Sequence, residues 1–571
     1  MRKQFQIAAV VSAAALLAIG ASMTSFAATG WQEEDGTWVY YNKAEEKVTD
    51  KWAKSGDNWF YLDGDGYMAT DMLIEDDDDY YYVDANGAMV RNQWIAIDNE
   101  DAGNDDDEPE VHWYYFQNNG KAYRKKGSAA VFKKSINGKT YCFNQDGQMQ
   151  YGWVSENSDG ETDYDEEAWR VQGDQYYFGD ENDGAMAVGW RLISIVDSGT
   201  PENDQPGDAF WDEDQDRWFY FKSSGKKEYL KDGKTFKGNK TINGRKYGFD
   251  EYGRMVADWY TDETYATASD EDATDSSGDK IQGNPDYSAT FMYFSTPEDG
   301  ARYTKGWFKV VPGYYLNQDK YDDGDNKWYY ADGKGHIAAG EIKTIKSKKY
   351  AFDVKGDMID GLAFLDLDST DPKLITKKWS KDDYYSNEDD FKDLAISAVG
   401  GNSAFFFFSN DADHDGAMKT GKQTVNIDGD NYTFRFYDSG AHKGQGINGV
   451  KDKKIYLGGM LMKADSDDKF AFFNPAATDH KDLFYTFDQL KDEYFEGSYD
   501  TKKDEWTYTL KASKEAEFND YFIPMNASGA ILTSGTKKDG DDYKITLKGK
   551  HDVSFWGNTV SVGSVSKVVL K

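Results

Sequence analysis

Residues 31–51 read WQEEDGTWVYYNKAEEKVTDK, residues 52–72 read WAKSGDNWFYLDGDGYMATDM, and residues 73–93 read LIEDDDDYYYVDANGAMVRNQ, with Trp94 opening the next line. Set in rows of 21, the aromatic residues fall into columns. Trp31, Trp52, Leu73 and Trp94 form one column, and Trp38, Trp59 and Tyr80 a second. Val39, Phe60 and Tyr81 form a third, and Tyr40, Tyr61 and Tyr82 a fourth. Gly66 lies over Gly87 and Met68 over Met89. A short fixed period with this many aromatic columns describes one small unit stacked on copies of itself.

Within a unit, Trp59-Phe60-Tyr61-Leu62 is a good strand former. Asp63-Gly64-Asp65-Gly66 is a turn, and Tyr67-Met68-Ala69 is expected to be the return strand of a hairpin. Alternation puts Trp59 and Tyr61 on one face and Phe60 and Leu62 on the other. One face is expected inside the stack and the other leaves rings at the surface. A lone hairpin is marginal in water, so each unit depends on its neighbours.

The pattern Trp-Tyr-Tyr-Phe, turn, Gly-x-Met, Gly-Trp resembles the cell-wall-binding repeat of choline-binding modules, glucan-binding domains and the repeat domains of large clostridial toxins. Copies appear at Trp113-Tyr114-Tyr115-Phe116 with Gly120, and at Tyr141-Cys142-Phe143 with Gly147, Met149 and Trp153. Others are Tyr176-Tyr177-Phe178 with Gly184, Met186 and Trp190, and Trp218-Phe219-Tyr220-Phe221 with Gly225. Later come Gly253, Met255 and Trp259, then Gly306-Trp307, then Trp328-Tyr329-Tyr330. The resemblance runs from Trp31 to about Leu362. Less aromatic copies alternate with these, at Ile136–Tyr141, Ile242–Tyr247 and Ile345–Tyr350; the first two carry Asn-Gly, a tight-hairpin signal.

Residues 1–27 are expected to be a secretory signal: Arg2 and Lys3, an apolar run from Ile7 to Ile19, then Ser25-Phe26-Ala27 before a cut ahead of Ala28. That run is shorter than the ~20 residues of a spanning helix, and no span is expected once it is removed. Acidic, turn-rich stretches at Asp98–Glu110, Ser155–Glu167, Ser198–Asp216 and Thr261–Tyr287 read as loops inserted between hairpins. The expected fold is all-β: an elongated β-hairpin repeat solenoid over 28–362 with acidic loop insertions. Residues 363–571 follow as degenerate repeats or a separate β-rich domain, with a short helical turn read at Lys511–Phe518.

The formal charge of −37 argues against a nucleic-acid partner, which requires a basic face. One cysteine, Cys142, excludes an intrachain disulfide and reads as a small apolar filler. Asp411–Gly416 resembles the start of a calcium loop, but Lys422 stands where a bidentate acid belongs, so the reading is an ordinary turn with no metal. The histidines lack zinc spacing, and no nucleophile or phosphate-loop motif is present. No cofactor and no catalytic residue are assigned.

Aromatic rings are the constellation that stands out. Converging ring faces attract a quaternary ammonium, while a sugar lays its C–H face on a ring. In choline-binding relatives the box takes tryptophans from the first strand and the Gly-Trp end, a tyrosine from the next turn, and often a methionine. The resemblance carries that role to Trp31, Trp38, Tyr40, Trp52, Trp59, Tyr61, Trp94, Trp113, Tyr115, Trp153, Trp190, Trp218 and Tyr220. It implies a secreted, non-enzymatic protein of Gram-positive type, held to a choline-bearing or polysaccharide wall polymer. The alternatives are a glucan- or host-glycan-binding adhesin, and a hydrolase within 363–571.

Overall fold

Lys51–Ser55 and Asn58–Leu62 pair antiparallel, with Trp52 opposite Tyr61 and Ala53 opposite Phe60. The same two-strand unit recurs as Gly30–Glu34 with Thr37–Tyr41, Met72–Asp76 with Asp79–Val83, and Gln93–Asp98 with Val111–Phe116. These are features of a computed structural model that describes residues 29–100, 102, 109–156, 158–196, 215–261, 283–410, 415–539 and 543–570. Residues 1–27, read above as a signal, most of Asp98–Glu110 and of Ser198–Asp216, residues 262–282 and Asp411–His414 lie outside the described residues.

The ladder differs from the expected one. Trp59–Leu62 pairs with the strand before it and, by a shorter return, with Tyr67–Ala69: the Asp63 N–H donates to the Tyr67 carbonyl at 2.8 Å and the Ala69 N–H to the Tyr61 carbonyl at 2.9 Å. Tyr67–Ala69 makes only isolated bridges, Leu62 to Met68 within the unit and Val39 to Tyr67 in the unit before. The reason lies in the hydrogen bonds. Asp63 Oδ1 accepts the N–H groups of Asp65 (3.0 Å) and Tyr67 (2.8 Å), closing an Asx turn. The Met68 N–H then turns away and donates to the Trp38 carbonyl of the preceding hairpin at 2.8 Å. This segment therefore both completes its own unit and joins it to the one before.

The junction repeats. Met89 N–H donates to Trp59 O, Ala122 to Tyr80 O, Met186 to Thr140 O, Met358 to Trp328 O and Met418 to Lys349 O, all at 2.8–2.9 Å. Each methionine side chain lies against a glycine of the next unit. A Cβ on Gly87 would fall 2.8 Å from Met68 Sδ, and one on Gly120 would collide with Met89. The columns of Gly and Met are thus the two sides of one contact. Asn137-Gly138 and Asn243-Gly244 take positive φ at both central residues, the type I′ geometry that suits strand twist.

The faces fall as alternation requires. Phe60 and Leu62 are buried, whereas Trp59 is 37% exposed. Cys142 is fully buried, and burial pushes its thiol up to about 12, so it is inert filler.

The chain divides into two compact units. Among the described residues, one holds those up to Val196 with Trp218–Lys231 and Glu251–Gly253; the other holds residues 215–217, Asp232–Asp250 and the chain from Arg254 onward. In the second, hairpins continue through Gly306–Val310 with Lys327–Ala331, and Glu341–Ile345 with Lys348–Phe352. Larger sheets follow: five strands built on Gly421–Ile427 and Asp430–Phe436, and five more built on the long hairpin Tyr543–Phe555 with Asn558–Leu570. Phe364, Phe391, Phe405, Phe434, Leu457 and Val562 share one core there. The repeat survives beside it, in a neighbouring cluster, since Phe408 bridges Met418 as Leu62 bridges Met68. The helical turn read at Lys511–Phe518 is a helix over Glu515–Tyr521, and the stretch Thr261–Tyr287 ends in a short helix, Pro285–Ser288.

Candidate functional site

Trp52 sits on the first strand of its hairpin, one position after Lys51. Its ring meets Tyr61 of the same hairpin edge-on at 5.1 Å and Tyr81 of the next hairpin at 5.1 Å. Its indole N–H donates to Asp76 Oδ2 at 3.1 Å, which fixes the ring plane. Trp59 stands across the ladder, and the Met89 junction brings that thioether beside it. The four side chains Trp52, Trp59, Tyr81 and Met89 line an open hollow of about 360 Å³, edged by Arg91, Asn118 and Asn119. Its volume falls in the range of small-ligand sites.

The other assigned residues fall into distinct settings. Trp31 meets Tyr40 and Phe60, each at 5.2 Å, and Trp38 holds Met68 through its carbonyl. Here Phe60 stands where the hollow above has Tyr81. Trp94 packs on Tyr115 (5.2 Å), Tyr141 (4.8 Å) and Phe143 (5.8 Å), with Trp113 against the same cluster. Trp190 meets Trp218 at 6.2 Å with perpendicular planes and Tyr220 at 5.2 Å. Trp153 is 8% exposed, enclosed by Tyr177, Phe219 and Phe221, with the buried Lys227 ammonium 5.6 Å from its ring.

Where the columns lose tryptophan, the hollow changes. At Leu73 and Tyr80, the Arg124 guanidinium lies 4.6 Å from the Tyr80 ring, so the protein's own cation covers it. Nearby, burial opposes the charge of Asp79, but the ammonium groups of Lys121 and Lys126 hold its carboxyl below the ordinary value. At the Thr140 copy a hollow of about 310 Å³ persists beside Tyr177 and Met186, without a tryptophan.

Sequence reasoning missed Tyr81 and Met89 as walls. Tyr81 lies in the column of Phe60, the face assigned to the core, and that face of one hairpin is the wall of its predecessor's hollow. It also missed a later set: Trp307 meets Tyr330 (5.1 Å) and Tyr350 (4.8 Å), and Met358 is pinned to Trp328. The signal that finds both is the order of repeat positions, a first-strand Trp with the third-column aromatic and the Met of the next unit, because the residue spacing lengthens from 29 between Trp52 and Tyr81 to 43 between Trp307 and Tyr350. Among the described residues no cluster of three or more His, Cys, Asp or Glu side chains could hold a metal ion, and no helix is long and apolar enough to cross a membrane.

Residues 48–94 match the family model of the choline-binding repeat. The chain carries cell-wall-binding repeats of the choline-binding type. Over 281 residues it is 27% identical to Glucosyltransferase-S of Streptococcus mutans serotype c; the match covers 44% of this chain and 16% of that protein. Among solved structures, CbpJ of Streptococcus pneumoniae aligns at 17% identity over 72% of this chain and 99% of that one, with a TM-score of 0.31. The modular autolysin LytC of the same organism aligns at 16% identity over 60% of this chain and 56% of that one, with a TM-score of 0.29.

Proposed function

We propose that this chain is a secreted, non-enzymatic attachment protein that binds choline groups of a bacterial cell-wall polymer outside the cell. The observation that carries the reading is the convergence of Trp52, Trp59, Tyr81 and Met89 on one open hollow. Ring faces of this kind attract a quaternary ammonium by about 0.5–2 kcal/mol per contact. The match of residues 48–94 to the choline-binding repeat supports it, because those residues supply all four walls. The sets at Trp31 with Trp38, at Trp94 with Trp113 and Tyr115, at Trp190 with Trp218 and Tyr220, and at Trp307 are proposed as further sites of graded completeness. Trp153 is proposed as packing. Residues 28–362 form the binding array in this reading, and 363–571 a β-rich continuation.

A second reading is glucan binding. Arg91, Asn118 and Asn119 at the rim favour it, since they offer hydrogen bonds to sugar hydroxyls and Arg91 opposes a cation. Likeness to a part of Glucosyltransferase-S points the same way. Retention on purified wall, with elution by choline chloride against elution by dextran, separates the two. Release by choline alone supports the first reading, and release by dextran alone replaces it with the second. Zymography on peptidoglycan and starch tests for a hydrolase in 363–571.

A further inference from the structure

A hollow of about 720 Å³ opens in the second unit, where the aromatic repeat gives way to larger sheets. Phe407 and Val425 contribute apolar floor, Trp379 a wall, and Asn426 and Asn431 a polar rim. We propose that this hollow is a second binding site, and that it takes a saccharide segment of a glycan and not an organic cation. It shares no residue with the Trp52–Trp59 hollow, so it stands or falls independently of the choline reading.

Four observations carry it. The volume lies within the range of ligand sites. The walls are held in place before any ligand arrives: the buried Tyr385 hydroxyl accepts the Phe364 N–H at 3.3 Å and lies 3.3 Å from the Leu362 carbonyl as a donor. Ser380 also caps the short helix Lys381–Tyr384 through its side chain, beside Trp379.

The site is already supplied with positive charge. The Lys377 ammonium lies 3.8 Å from the centre of the Trp379 ring. Of the charged residues lining the hollow, Lys378 and Lys381 balance Asp360 and Asp382, and Lys320 is held by Asp323 at 2.7 Å. Because the Lys377 ammonium already occupies the ring that an organic cation would seek, a second cation is disfavoured there.

The polar groups match hydroxyls. Asn426 Nδ2 donates to Asn431 Oδ1 at 3.2 Å across the ladder, which leaves the Asn431 amide N–H groups without a partner among the described residues. A carboxamide both donates and accepts, as a sugar hydroxyl does. The Trp379 indole N–H is also buried with no acceptor among the described residues. An unmade buried donor is costly, and a ligand hydroxyl entering beside the ring supplies the acceptor.

The test uses the whole secreted chain with three soluble probes: maltoheptaose, isomaltoheptaose and the hexamer of N-acetylglucosamine. Saturation-transfer NMR and calorimetry are expected to show binding of at least one, undisplaced by saturating choline chloride. The double variant Asn426→Ala/Asn431→Ala alters exposed side chains and is expected to melt as the parent does while binding at least about fivefold more weakly. Trp379→Ala is expected to weaken binding further; if it does not fold, the double variant decides alone. The proposal is overturned if no probe binds up to about 10 mM, if choline displaces the probe, or if the double variant binds as tightly as the parent.

Discussion

The main-chain N–H of Met89 donates to the carbonyl oxygen of Trp59 at 2.8 Å. That bond crosses from one hairpin unit to the one before it, and it places a thioether beside an exposed indole. The stacking contact and the ligand wall are therefore the same piece of chain. Binding and stability can still be separated, because neighbouring side chains on one strand face opposite ways.

Trp59→Ala removes an exposed wall and should weaken choline binding about tenfold, on the order of 1–2 kcal/mol, with little change in melting. Phe60→Ala deletes a ring that is 5% exposed and should destabilise the array by about 3–5 kcal/mol. Calorimetric titration and thermal unfolding of both variants check the pair. The reverse pattern would show the two faces exchanged.

Gly120 has φ +84° and Gly36 φ +81°, so alanine is strained by about 1–2 kcal/mol at either. Their surroundings differ. Nothing lies within 4 Å of a Cβ at Gly36, whereas one at Gly120 strikes the Met89 side chain. Gly120→Ala should cost about 1–3 kcal/mol more than Gly36→Ala and should also weaken choline binding. Equal unfolding midpoints for the two variants would remove the Gly–Met contact from the account of the stack.

Arg91 brings a positive charge to the edge of the hollow. At a distance of several Å in water-like dielectric that repulsion is on the order of 0.5 kcal/mol. Arg91→Ala should therefore tighten choline binding about two- to threefold and make it less dependent on salt. A variant that loses choline affinity would mean that Arg91 contacts the ligand, which suits a sugar better than an ammonium.

Asp357 is 8% exposed, accepts the Tyr329 hydroxyl at 2.6 Å and lies near Asp353. Burial, and then the charge of Asp353, push its carboxyl from an ordinary 3.8 up to about 7. Between those values the folded chain keeps a proton that the unfolded chain has released. Stability from this group is therefore greatest in acid and falls as pH rises from about 4 to about 7. Asp357→Asn should flatten that slope relative to the parent in urea titrations at several pH values. A parent and variant with parallel pH profiles would contradict it.

Much of the array was legible in the sequence. The period of 21 followed from columns, and the buried and exposed faces of Trp59–Leu62 followed from strand alternation. Both are local properties, written in consecutive residues. The return at Tyr67–Ala69 was legible, but the longer ladder with Lys51–Ser55 was not, because two turns flank Trp59–Leu62. Asp63–Gly66 carries the stronger composition signal and turns the short return, yet Gly56-Asp57 makes the longer ladder.

The sequence by itself determined that this chain is a stack of aromatic hairpins and which residue types recur at each turn of it. Tertiary structure alone decided which rings meet. Tyr81 becomes a wall for Trp52, and Met89 for Trp59, only because the Asx turns send Met68 and Met89 to carbonyls of earlier hairpins. The same geometry lets Arg124 cover Tyr80, which no column could announce. Alternation sets the face of a side chain, but the neighbour it meets depends on the rotation between units, and long-range hydrogen bonds fix that rotation.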